Sequence, residues 1–235
     1  MQLPRGNRLL DLLRPGEAER ILPTARVVSL VRDQETTMCE RPMTHVDFPV
    51  TALMTVKGLL SDGTVYEVAS VGSEGFVEID AALRHDYALR SAACQFDGEA
   101  IRVDLADFRS TMEHSETFAT LVLHAVRARA YITEQMSLCN LRHTIVQRFA
   151  RWLLLARDRL AREDFDVTQD FVATILGVRR AGVSAAAAEL EAEGAIVARR
   201  GLVTIADPVR LEAIACECYA VCRDTLTESL SRPRR

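Results

Sequence analysis

The 235-residue chain has no run of about 18 apolar residues, so no stretch of it reads as a membrane-spanning helix. Its start, MQLPRGNRLLDLLRPGEAER, interrupts its apolar residues with charges and leads to no small-residue cleavage site, so a secretory signal is not expected. Cysteine is sparse: Cys39, Cys94, Cys139, Cys216, Cys218 and Cys222 are too few and too scattered for a disulfide framework in a chain this long. Free thiols in a cytoplasmic protein are expected. Catalytic signatures are missing as well. No Ser-His-Asp order, phosphate loop, His-Glu-x-x-His or Cys-x-x-Cys pair occurs, so an enzyme is not expected.

Excess positive charge is also absent, since the net charge is −4. The distribution matters more than the sum. Residues 1–141 carry 14 basic and 20 acidic side chains, whereas 142–235 carry 15 and 13, so any affinity for nucleic acid belongs to the second part. With 49% hydrophobic and 26% charged residues the composition is that of a globular protein with one large or two small domains.

The chain changes texture twice. Asn7 to Leu22 suits a short amphipathic helix with Asn7 as N-cap, split in two at Pro15 and Gly16. From Arg26 to Val103 the candidate strands are ARVVSLV, THVDFPV, ALMTVKGLL, TVYEVASV, AACQF and AIRVD. Turns fall at Ser61-Asp62-Gly63, Gly72-Ser73-Glu74-Gly75 and Asp97-Gly98, a pattern that implies a barrel or roll. Ser110 to Asn140 contains no Gly or Pro and carries Phe118, Leu121, Val122, Ala125, Ala128, Ile132, Met136 and Cys139 near one helical stripe. That stripe suits either a dimer seam or a face packed on the roll. A further helix over about 144–161 uses Ile145, Phe149, Trp152, Leu153 and Ala156, and the break at 138–143 reads as a hinge.

The segment VTQDFVATILGVRRAGVSAAAAELEAEGAIVARRGLVTI, 167–205, is the most informative. Thr168 can cap a first helix, and Gly177 can take the left-handed conformation that ends it. Leu176, Val178 and Val183 close a small core, while Arg179 and Arg180 open a second helix. A guanidinium there can donate two hydrogen bonds to guanine O6 and N7, which makes Arg180 the candidate base reader. Ser184 follows one turn later, and Gln169 suits a backbone phosphate. Arg199 and Arg200 sit in a hairpin wing. Thr168, Gln169, Arg179, Arg180, Ser184, Arg199 and Arg200 are therefore the candidate DNA-binding residues.

The order of β-rich domain, long helix and helix-turn-helix with wing resembles the Crp/Fnr family of bacterial transcription regulators across nearly the whole chain. The run VTQDFVATILGVRRAGVSAAAAELEAEGAI follows that family's helix-turn-helix signature, and HVDFPVTALMTVKGLLSDGTVYEVASVGSEG is similar to its cyclic-nucleotide-binding-type roll. The resemblance implies a homodimer with one recognition helix per subunit in successive major grooves of double-stranded DNA. A small-molecule effector or an RNA polymerase contact is allowed by it. Ala181 and Ala185 stand where cyclic-AMP-responsive members carry a glutamate and a second arginine, so a different target sequence is implied.

On the same resemblance, Gly72, Glu74, Gly75, Arg90 and Ser91 are the candidate effector pocket. Glu74-Gly75 and Arg90-Ser91 are 15 to 16 residues apart, where the family's ribose and phosphate pairs are about ten apart, with LRHDY inserted between. Cyclic AMP binding is therefore not expected. No cysteine precedes Cys39, which argues against the family's iron-sulfur cluster, and none of His45, His85, His114, His124 and His143 has a spacing that marks a haem ligand. No cofactor or metal is expected. Cys218 and Cys222, at i and i+4, share a helix face, with Cys216 pointing elsewhere.

The expected protein is an α+β transcription regulator. It has a β-roll effector domain with an N-terminal helix at 1–109, a long dimerisation helix at 110–140 and a winged helix-turn-helix at 141–235. The alternatives are a winged helix that binds protein, or a thiol redox sensor.

Overall fold

The computed structural model describes residues 5–13 and 23–231, and these divide into two compact units. The first comprises the described parts of Met1–Gly58, Ala69–Ala130 and Thr225–Arg235; the second comprises Leu59–Val68 and Tyr131–Asp224.

In the first unit, β1 (Arg26–Leu30), β7 (Gly98–Asp104) and β3 (His45–Pro49) form an antiparallel sheet in the order β1-β7-β3. The second sheet has the order β2-β6-β4-β5, from β2 (Glu35–Thr37), β6 (Ser91–Phe96), β4 (Leu53–Leu59) and β5 (Val65–Val71), of which Leu59 and residues 65–68 belong to the second unit. Strands β6 and β7 are consecutive yet lie in different sheets, so the Asp97-Gly98 turn is a corner of the roll rather than a hairpin. Gly98 is required there, because a Cβ would stand 2.3 Å from the Ala52 backbone nitrogen.

One core lies mostly among strand residues, Leu30, Met54, Val56, Val71, Ala92, Cys94 and Ala100, joined by Ala52 and Val77 from the connections. The other is aromatic. Phe48, Phe76, Phe108 and Phe118 gather with ring centroids 5.6 to 6.5 Å apart. Asn7, expected as a helix N-cap, is buried at the end of this core. Its Oδ1 accepts from the Leu9 and Leu10 amides, and its Nδ2 donates to the Pro49 and Gly75 carbonyls. Only a 3-10 turn at Leu10–Leu12 follows, and the rest of the expected N-terminal helix, 14–22 with Pro15 and Gly16, lies outside the described residues.

The helix expected from Ser110 is two helices, α2 (Leu105–His114) and α3 (Glu116–Arg142), after the short α1 (Ile79–Ala82). Ser115 causes the break: its backbone is extended and its Oγ accepts from the Phe118 amide, capping α3. On α3 the expected stripe faces the chain's own interior. Phe118, Leu121 and Val122 are at most 2% exposed and belong to the aromatic core. A different face carries the exposed apolar side chains Leu123, Tyr131, Leu138 and Leu141.

In the second unit, α4 (Ile145–Leu160) begins on Thr144, whose side chain accepts from the Gln147 amide while Gln147 reaches back to Thr144 in a capping box. Next come β8 (Asp164–Asp166), α5 (Gln169–Leu176), α6 (Arg180–Ala192), β9 (Ile196–Arg199), β10 (Leu202–Ile205), α7 (Pro208–Ile214) and α8 (Cys218–Ser229). The sheet order is β8-β10-β9, and the short strand β8 was not expected. Trp152 anchors the core, 6.2 to 6.3 Å from the rings of Phe149, Phe165 and Phe171. Among the described residues no single helix is long and apolar enough to cross a membrane.

Candidate nucleic-acid interface

Two local signals build the interface. Thr168 Oγ1 accepts from the Phe171 amide at 3.1 Å and starts α5. Gly177, at φ +63°, ends α5 in the left-handed conformation and swings the chain into α6. Leu176 and Val183 are buried between the two helices, and Val178 is half-buried beside them. Arg179 is the N-cap residue of α6 without a side-chain capping bond, so its guanidinium is left for solvent.

The polar residues at the start of α6 form one hydrogen-bonded set. Arg180 Nε donates to Gln169 Oε1 at 3.4 Å and Ser184 Oγ donates to the same oxygen at 2.6 Å. Arg180 Nη1 donates to Asp170 Oδ2 at 3.2 Å, with both side chains about two-thirds exposed. Asp170 was missed by sequence reasoning; its signal is an acid in the first turn of α5, ten residues before the arginine it meets.

The wing is a hairpin in which Leu202 pairs with Arg199, leaving Arg200 and Gly201 as the turn, with Gly201 at φ +77°. Glu191 Oε1 accepts from the Ala198 amide at 2.8 Å and ties the wing to α6. Arg179, Arg199 and Arg200 are exposed and have no carboxylate partner among the described residues. The arrangement offers four exposed guanidiniums, of which Arg180 alone has a carboxylate partner among the described residues, and this suits a polyanion.

The candidate effector residues are not brought into one bonded group. Glu74 is buried in the turn after β5, where its Oε1 accepts from the Gly72 amide, and Gly75 donates to the Gly72 carbonyl. Arg90 is exposed, and among the described residues its guanidinium donates to the Leu89 carbonyl alone; Ser91 Oγ accepts from the Cys39 amide. The inserted LRHDY is a turn pinned to α2, with Arg84 on Glu113 at 3.0 Å and Arg109 on Asp86 at 2.7 Å.

The cysteine geometry departs from expectation. Cys216 lies just before α8, in the connection from α7, and turns toward Cys139 and Cys218, while Cys222 lies one helical turn further on. Helical spacing did not apply, because Cys216 is outside the helix.

Residues 147–214 match the model of the Crp-like helix-turn-helix domain. No curated protein matches the chain. Among solved structures, FixK2 from Bradyrhizobium japonicum is similar at 20% identity and a TM-score of 0.68, with 82% of this chain and 98% of that one covered. A crp/fnr-family regulator from Eubacterium rectale is similar at 14% identity and a TM-score of 0.69, covering 88% and 96%. A CRP-family regulator from Thermus thermophilus shows 16% identity and a TM-score of 0.68, covering 80% and 96%. Residues 147–214 are thus a Crp-like helix-turn-helix domain, and the chain shares the fold of these proteins along most of its length.

Proposed function

We propose that the chain is a cytoplasmic, non-enzymatic homodimer that reads a near-palindromic DNA site, with Arg180 contacting base edges and Thr168, Gln169, Arg179, Ser184, Arg199 and Arg200 contacting bases or phosphates. Residues 1–109 serve as the effector domain, 110–140 as the dimerisation helix and 141–235 as the DNA-binding domain. The observation that carries this reading is the exposed Gln169-Arg180-Ser184 set at the N-terminal end of α6. A guanidinium held by its neighbours loses little freedom when it meets a guanine. Cyclic AMP is not the effector, because Arg90 is exposed and turned onto a backbone carbonyl, and Ser91 is engaged by the Cys39 amide. Any other small molecule, or RNA polymerase, acts by changing the relative placement of two recognition helices.

Arg180→Ala tests the reading. Its specific affinity should fall by about 1 to 3 kcal/mol, with relaxed preference in a selection from random duplexes. A variant that selects the wild-type sequence with wild-type stringency would remove Arg180 from this role.

A further inference from the structure

Two segments far apart in the chain bring three sulfurs and an imidazole together. Cys139 is on the last turn of α3 and His143 follows four residues later; Cys216 and Cys218 come from the connection into α8. Cys139 Sγ is 3.5 Å from Cys216 Sγ, Cys218 Sγ is 3.7 Å from His143 Nδ1, and the four ligand atoms all lie within 4.8 Å of one another. Zinc-sulfur bonds of about 2.3 Å at tetrahedral angles place sulfurs about 3.8 Å apart, so these separations are those of a shared ion.

The surroundings supply what such an ion needs. His143 Nε2 is 3.0 Å from Glu217 Oε2; a proton donated there leaves the Nδ1 lone pair facing the sulfurs. Gln135 Nε2 donates to Cys218 Sγ at 3.1 Å, and Arg151 Nη1 donates to Cys139 Sγ at 2.8 Å. Arg151 is 7% exposed and has no carboxylate partner among the described residues, so the acidic group its guanidinium meets is the Cys139 thiol. Thiolates this close repel one another unless a cation lies between them.

We propose that Cys139, His143, Cys216 and Cys218 form a Cys3His site for one zinc(II) ion, which clamps the end of α3 to the start of α8. Binding sends the thiol protons to solvent and leaves three thiolates on a dication. The single negative charge that results is neutralised by Arg151.

The test uses the full-length chain without DNA, so it stands apart from the function proposed above. Purified wild-type protein should carry one zinc per chain by elemental analysis. After chelation, added cobalt(II) should give thiolate charge-transfer and tetrahedral ligand-field bands that zinc then displaces. Cys216→Ser should lose the metal, while Cys222→Ser should keep it. Glu217 is exposed, so Glu217→Ala should fold normally and bind zinc about 10- to 100-fold more weakly. The proposal fails if wild-type protein neither retains zinc nor gives the cobalt spectrum, if Glu217→Ala leaves zinc affinity unchanged, or if Cys222→Ser abolishes binding. A reversible Cys139-Cys216 disulfide in protein that takes up no zinc would overturn it in favour of a redox pair.

Discussion

The carboxylate of Asp170 lies 3.2 Å from the guanidinium of Arg180, so the candidate base reader is held by an acid at the surface that would face DNA. Both side chains are exposed, and the pair contributes little to stability, about 0 to 1 kcal/mol. Its consequence lies in binding. Asp170 repels phosphates and must release Arg180 before a base can take it. Asp170→Asn should therefore tighten binding to duplexes of any sequence by a fewfold and narrow the gap between operator and scrambled DNA. Titrations of both duplexes at two salt concentrations check this; unchanged affinity for scrambled DNA would show that Asp170 does not oppose binding.

Much of this interface was legible because single residues control it. A threonine cap, one glycine and the pair Arg179-Arg180 specify helix, turn and helix without help from distant sequence. The face of α3 was not legible, since Phe118, Leu121 and Val122 would suit a partner helix as well as the phenylalanine core they join. The strands β2 and β8 are three residues each, ETT and DFD, too short to show alternation. The cysteine cluster was hidden because Cys139 and Cys216 are 77 residues apart and meet only through the packing of α3 and the α7–α8 connection.

Cyclic AMP should neither raise the melting temperature of the protein nor strengthen its DNA binding. A buried cyclic phosphate needs a paired guanidinium, and Arg90 sits exposed with its hydrogen bond spent on the Leu89 carbonyl. Isothermal calorimetry is the check, and a saturable heat would show that the roll rebuilds a phosphate site on binding.

Glu78 makes the first unit pH-sensitive. It is 4% exposed, with its oxygens accepting from the Thr37 hydroxyl and the Asp47 amide. Burial, and next the charge of Asp47, raise it from 4.5 to about 7. Burial pushes Asp47 up too, but hydrogen bonds from Arg102 and the nearby His45 hold it below 3.8 overall. The folded chain thus keeps the Glu78 proton that the unfolded chain releases. The resulting stability is complete below pH 4.5 and is lost as the pH rises through about 7. Glu78→Gln should flatten the melting temperature across that window and leave the loss below pH 3.8, where Asp47 protonates, in place. An unaltered profile between pH 4.5 and 7 would mean that Glu78 ionises freely in the fold.

The exposed face of α3 is the place to test the dimer. Leu123, Tyr131, Leu138 and Leu141 advance by helical steps onto one side, and Leu138 and Leu141 are 60% and 87% exposed in the single chain. Covering them removes apolar surface from water at no cost to the protomer's own core, which Phe118, Leu121 and Val122 already occupy. Leu138→Glu combined with Leu141→Glu should leave the melting curve of the protomer nearly unchanged while shifting sedimentation to the monomer. Operator affinity should fall with it, because two half-sites are no longer held by one particle. Phe118→Ala should do the reverse, lowering stability by about 3 to 5 kcal/mol through the cavity it leaves. A double-glutamate variant that still sediments as a dimer at wild-type concentrations would place the seam elsewhere than on this face.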